Sequence, residues 1–293
     1  MSSDEPTQPG VRDEPSVATP DASQPLAFEL ALATDVGTER DNNEDAHGFH
    51  VEGADSVVFA VADGVGGYEG GEVASRMAID VTLETYRGFP ATWGPAKRLA
   101  RAVQRANIAI HDRALVVTEL RRMATTLSAV SITAGVLNAV HVGDCRIYLI
   151  RSQRITQLTK DHTVAGQRAR IGLLAKEQLR QHPERGMLTR SLGPELIAAI
   201  DRFATPLLQH DALLIASDGL HATLTDDELL AVIAERSAAE ACRTLIETAN
   251  RKGTGDNLTA AVYRQTAPLP VSRQGGLRAR LATLLGRRGA TRE

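Results

Sequence analysis

The chain has 293 residues, 43% hydrophobic and 24% charged, the make-up of a water-soluble globular protein. A formal net charge of -3 and only 3% aromatics exclude a nucleic-acid binder that works through bulk charge or base stacking. Cys145 and Cys242 have no paired spacing, which excludes a disulfide scaffold or a cysteine zinc site and points to a reducing cytoplasm.

Residues 1–25 are rich in Pro, Ser, Asp and Glu and carry no hydrophobic signal region, so a disordered acidic tail is expected there. A single domain is expected over 26–266, opening with the strand FELALATDVG. VVFAVAD, LSAVSITAGV, NAVHVG, RIYLIR, ALLIAS and LTAAVYR are short apolar runs bounded by Gly, Asp and Asn, the pattern of buried strands. Helical periodicity covers 70–87, 94–120, 225–236 and 238–251, and Thr225 ahead of Asp226, Asp227 and Glu228 reads as an N-cap. Consecutive strands over 127–151 disfavour an alternating βαβ chain and favour antiparallel sheets covered by helices, an α+β class. Residues 267–293 read as a linker followed by a basic Leu/Arg segment. That segment is either a helix docked on the domain or one that meets a membrane surface or a partner. No apolar run is long enough to span a bilayer.

Three segments place an aspartate at a strand boundary. VVFAVADG ends on Asp63-Gly64, ALLIASDG ends on Asp218-Gly219, and GTGDN sets Asp256 before LTAAVYR. An Asp-Gly pair ordinarily marks a hairpin, but Asp63 leads into a loop and a helix, and Asp218 leads into a helical segment. Carboxylates held at the ends of buried strands repel one another and resist ionising unless a cation sits between them. All-oxygen ligation suits Mg²⁺ or Mn²⁺, and a pair of such ions activates water for in-line displacement at phosphorus. Arg40, just upstream of Glu44 and Asp45, offers a guanidinium to grip two phosphate oxygens, although a charged surface turn is the plainer reading of that segment alone. Asp144 in VGDCR sits where a hairpin is natural, so its local pattern divides evenly between turn and ligand. The histidines, His47 and His50 included, form no zinc pattern, and neither a P-loop nor a nucleophile elbow appears.

The ordered segments TDVGTERDNNEDA, VADGVGGYEGGEVAS, MATTLSAV, HVGDCRIYLIR, LTKDHT, MLTRSLG, LLIASDGL and GDNLTAAV resemble the type 2C metal-dependent serine/threonine protein phosphatases in their bacterial form. The resemblance covers about residues 28–265. It implies an αββα sandwich with a metal site at one end, and hydrolysis of phosphoserine and phosphothreonine by a water shared between two Mn²⁺ or Mg²⁺ ions. Carried over by position, Asp63 would bridge the ions, the Gly64 carbonyl would bind one, and Asp218 and Asp256 would complete the other. Glu44 and Asp45 would hold metal-bound waters, Asp144 with Asp218 would form a third-metal site, and Arg40 would bind the substrate phosphate. The expected partners are phosphorylated proteins, among them a Ser/Thr kinase and its targets, acted on by a monomer in the cytoplasm.

Two departures from the family pattern bear on the proton donor: Val65 and Tyr68 occupy positions where relatives often carry histidine. Ala124 replaces the glycine of the usual Met-Gly-Thr-Thr. Two alternatives stay open on the sequence: a phosphatase-like module that binds phosphorylated partners without turning them over, and a two-metal hydrolase of nucleotides or metabolites. Residues 163–187 are expected to form a flap beside the site.

Overall fold

The computed structural model describes residues 14–19, 25–65 and 70–268. Most of the acidic tail, Tyr68, and the Leu/Arg segment from 269 onward lie outside the described residues.

Chain order begins with β1 (Ser16–Val17), β2 (Phe28–Asp35), β3 (Asp45–Gly53) and β4 (Ser56–Val65), then α1 (Gly70–Gly88) and α2 (Pro95–Val116). Next come β5 (Ala124–Thr125), β6 (Leu127–Thr133), β7 (Val136–Val142), β8 (Arg146–Arg151) and β9 (Arg154–Gln157), followed by the short α3 (Val164–Arg170). The chain closes with β10 (Asp201–Pro206), β11 (Ala212–Ala216), α4 (Asp218–Thr223), α5 (Asp226–Glu235), α6 (Ala238–Arg251) and β12 (Leu258–Gln265). One sheet runs β1-β2-β12-β11-β8-β9, the other β10-β7-β6-β4-β3 with β5 added on β4. Every described pairing is antiparallel.

The strands read as unbroken apolar runs because both of their faces are covered. In β4, Val57, Phe59 and Val61 point between the sheets, where Phe59 stacks on Tyr263 with ring centroids 6.2 Å apart. The alternate residues Val58, Ala60 and Ala62 face α1 and α2. The second sheet behaves alike: Ala31, Leu214 and Val262 face α5 and α6, while Leu32, Ile215 and Ala261 join the inter-sheet core. A one-residue slip would exchange these faces, so burial on both sides fixes the register. The αββα sandwich of an α+β protein is thus the observed architecture. No helix among the described residues is long and apolar enough to cross a membrane.

Helix ends follow local chemistry. Thr225 and Ser237 each form a capping box with the glutamate three residues on, Glu228 and Glu240. α2 stops at Val116, short of the 94–120 expectation, and only a single 3-10 turn follows at Thr118–Leu120. The β-branched run Val116-Val117-Thr118 disfavours further α-helix.

One expectation needs correction. The tail expected to be disordered over 1–25 contains Ser16–Val17, paired with Leu32 and Ala31. Of the two local readings left open at Asp144, the hairpin does not form, because β7 and β8 belong to different sheets and residues 143–145 cross between them. β3, β9 and β10 were not anticipated. Gly48, His47 and His50 break the apolar run of β3, and β10 is a half-exposed edge strand ending in Pro206.

Candidate metal centre

One end of the sandwich collects the strand ends that carry acids. β4 delivers Asp63 and Gly64 near its end, and β3 starts opposite with Asp45 paired to Asp63 across the ladder. β11 ends into Ser217, after which Asp218 opens α4. Asp256 precedes β12, and Asp144 sits on the crossing from β7 to β8. An open cleft of about 380 Å³ is walled by Arg40, Glu44, Asp63, Gly64, Asp144, Asp218 and Asp256. Asp45 is buried behind that wall and accepts a 2.7 Å hydrogen bond from the Thr259 hydroxyl. Gly186 and Leu188, at the end of the expected flap, complete the rim.

Backbone shape lets these groups approach. A side chain at Gly64 would collide with the Gly71 carbonyl and sit 2.7 Å from the Glu44 carbonyl, while one at Gly219 would meet the Asn257 carbonyl. Both positions therefore require glycine for packing, which explains the Asp-Gly pairs without a hairpin.

The acids disturb one another. Burial, then Asp218, Asp45, Asp144 and Asp256 in turn, push the Asp63 carboxyl well above its ordinary value. Asp63 keeps one face open to the cleft while protein surrounds the others. Burial lifts Asp45 to about 7 against hydrogen bonds from Ser217 and Thr259 that lower it. Asp144 is held well above the usual range by burial and by Asp218, and Asp218 is raised by burial and by Asp256. Burial also raises Glu44, which Arg40 partly offsets.

Such a set suits a hard divalent cation: the donors are oxygens, and their mutual repulsion needs positive charge between them. Among the described residues no three His, Cys, Asp or Glu side chains converge on one point as a closed ligand set. The carboxylates turn instead to protein partners, Asp256 to Arg40 at 3.1 Å and Asp218 to Asp63. An open arrangement of carboxylates agrees with ions that retain several waters.

Several positioning residues were not singled out from sequence. The Asn257 amide donates to the carbonyls of Val36 and Asn42 and accepts from the Glu44 backbone N–H, each at 2.9 Å. Thr126 accepts from the Asp63 N–H at 3.0 Å, and the Thr125 hydroxyl donates to the Asp63 carbonyl at 2.8 Å. His221 is buried with Nε2 3.0 Å from the Asp144 carbonyl, and burial followed by Arg146 lowers it to about 3, so it is neutral. The signal for Asn257 and the threonines lay in GDNL and MATT, whose polar residues border strands without a turn to explain them. His47 and His50 do not line the cleft. Ala124 takes a ladder position opposite Val65, which is 41% exposed on the cleft wall.

The sequence profile of the family described as Protein phosphatase 2C matches residues 38–262, the stretch that carries the cleft and every strand from β3 to β11 with most of β12. The chain belongs to this protein phosphatase 2C family. Among its relatives in that family, the serine/threonine phosphatase stp of Listeria welshimeri is 33% identical over 241 residues, covering 79% of this chain and 94% of the relative. The serine/threonine protein phosphatase PstP of Mycobacterium tuberculosis is 34% identical over 252 residues, 83% of this chain and 48% of that protein. A crystal structure of the Mycobacterium tuberculosis phosphatase superposes on the phosphatase 2C fold seen here with a TM-score of 0.75 at 32% identity, covering 82% of this chain and 99% of that one. The PstP catalytic domain in complex with two manganese ions gives a TM-score of 0.72 at 32% identity, with 82% and 98% covered.

Proposed function

We propose that this chain is a metal-dependent serine/threonine protein phosphatase, and the observation that carries the reading is the meeting of Asp63, Asp144, Asp218 and Asp256 with Arg40 in one open cleft. In this reading Asp63, the Gly64 carbonyl, Asp218 and Asp256 hold two ions, Asp144 with Asp218 offers a third position, and Glu44 and Asp45 act through water. Two Mn²⁺ or Mg²⁺ ions held by these residues would supply an activated water and positive charge for phosphoryl transfer.

The chain's own residues orient the reactants. Arg40 is half-exposed at the cleft, and its contacts to Asp256 and the Gly255 carbonyl use Nη2 and Nε, leaving Nη1 to donate to a phosphate oxygen. Thr125, Thr126 and Asn257 fix the backbone of Asp63 and Glu44, so the acids meet the substrate without rearranging. Among the described residues that line the cleft there is no histidine, and Val65 has no titratable proton, so the proton for the leaving serine or threonine oxygen would come from water at the metal site or from a residue outside that described lining.

The substrates are phosphoproteins, and the chain opposes a bacterial Ser/Thr kinase that phosphorylates them. Support for a reducing cytoplasm comes from Cys145 and Cys242, both buried as free thiols.

The test is hydrolysis of a phosphothreonine peptide by purified protein with Mn²⁺ or Mg²⁺, then with excess EDTA. Turnover that EDTA abolishes and added metal restores is expected, and Asp218→Asn should lower it by about three orders of magnitude or more. Folded, metal-loaded protein that turns over no phosphopeptide would instead assign the cleft to binding phosphorylated partners.

A further inference from the structure

A cavity of about 570 Å³ lies beside the cleft, walled in part by the flap residues Ala169, Arg170 and Arg180. Among the described residues its walls carry four cations, Arg146, Lys160, Arg170 and Arg180, against two carboxylates, Asp161 and Asp226. The carboxylates are already committed. Asp161 takes a two-pronged contact from Arg146, with Nη2 at 2.7 Å and Nε at 3.0 Å, and these bonds outweigh burial to hold its carboxyl below the ordinary range. Asp226 lies 3.8 Å from Arg180, whose Nη2 also donates to the Leu224 carbonyl at 2.8 Å.

Lys160 and Arg170 remain. Both are exposed, and neither joins an ion pair among the described residues. Their backbones are nonetheless fixed. The Lys160 carbonyl bonds the buried His141 ring at 3.2 Å, and Arg170 ends α3, whose N-cap Thr163 accepts from the Gly166 N–H at 3.0 Å.

This cavity adjoins the cleft. A gap of about 30 Å³ shares Arg146, Asp161, Leu179 and Arg180 with the cavity, and shares Asp144 and Asp218 with the metal centre. A chain whose phosphorylated residue enters the cleft and leaves along the flap therefore passes a net positive recess. The same positive charge disfavours basic flanks, so the recess sorts substrates by their neighbouring residues.

We propose that Lys160 and Arg170 form an anion subsite that receives an acidic side chain flanking the phosphorylated residue, which makes acidic phosphoprotein segments the preferred substrates. This rests on the phosphatase reading for its kinetic test, though its binding test does not. Arg146 and Arg180 shape the recess and are held by partners, whereas the two free cations supply the attraction.

The experiment compares phosphothreonine peptides with aspartates on either side of the phosphoresidue against the same peptides with alanines, using the full chain and its K160A/R170A variant. The wild type should favour the acidic peptide by about 10-fold in kcat/KM, mainly through KM, the scale of two partly screened ion pairs. The variant should bring that ratio close to 1, and K160R/R170K should retain most of it. A ratio near 1 in the wild type, or one that survives in K160A/R170A, overturns the subsite. If no peptide is hydrolysed, the phosphatase reading fails, and fluorescence anisotropy of the labelled peptides still decides the subsite: an acidic preference lost in the variant upholds it, and equal binding of both peptides to the wild type overturns it.

Discussion

Asn257 and Glu44 are joined by a 2.9 Å hydrogen bond from the Glu44 backbone N–H to the Asn257 side-chain carbonyl, across 213 residues of chain. The same amide donates to Val36 and Asn42, so one side chain braces the whole loop that carries Arg40 and Glu44 against the start of β12. Asn257→Ala leaves two carbonyls and an N–H without that partner, and should cost about 2–4 kcal/mol in urea unfolding. Asn257→Asp keeps the acceptor but loses both donors, and should fall between wild type and alanine. If alanine unfolds at the wild-type urea midpoint, the brace does not hold the loop.

The crowded acids should make the metal-free protein less stable as pH rises. A carboxyl whose folded value stands above its unfolded value near 4 binds its proton more tightly when folded. Its contribution is whole below the unfolded value and is lost as pH climbs through the folded one, about 7 for Asp45 and raised likewise for Asp63, Asp144 and Asp218. His141, lowered to about 4 by burial and then His162, and the buried neutral His221 work the other way, but only below their unfolded value near 6.5. Above pH 6.5 the acids act alone, so in EDTA the melting temperature should fall between pH 6.5 and 8. Asp63→Asn should flatten that slope and raise the pH 8 melting temperature by about 3 °C or more, and Mn²⁺ should remove the slope in the wild type. A melting temperature that rises through this window would show that the acids are not strained by one another.

Arg40 should act through geometry as well as charge. Arg40→Ala should lower kcat/KM on a phosphopeptide by about 100-fold, and Arg40→Lys should recover only a small part, because an ammonium cannot keep the Gly255 and Asp256 contacts and still aim a donor at phosphate as the planar guanidinium does. Steady-state kinetics at saturating Mn²⁺ would check this. Full recovery by lysine would reduce the role of Arg40 to that of a point charge.

How much of this was legible in the residues varies with the range of the interactions. The strand runs and the helices at 70–87, 225–236 and 238–251 were readable because alternation and capping act over a few residues, as at Thr225 with Glu228. Asp63, Asp218 and Asp256 stood out because an Asp-Gly pair or an Asp-Asn pair beside a buried strand has no apolar reason to be there. β3 was not readable, since Gly48, His47 and His50 interrupt its pattern and its place comes from pairing with β4.

The sequence by itself determined the elements, the acids that bound them and the family pattern they resemble, since each of these is written in short-range periodicity or in motif order. Only the tertiary structure decided that β7 and β8 part into different sheets, which turns Asp144 from a hairpin residue into a wall of the cleft. It also decided that Asn257 braces a loop more than 200 positions away, and that Lys160 and Arg170 share a recess adjoining the cleft of Asp144 and Asp218. The reason is physical: backbone periodicity is a local property, whereas the meeting of charges depends on which strands pair and in what register.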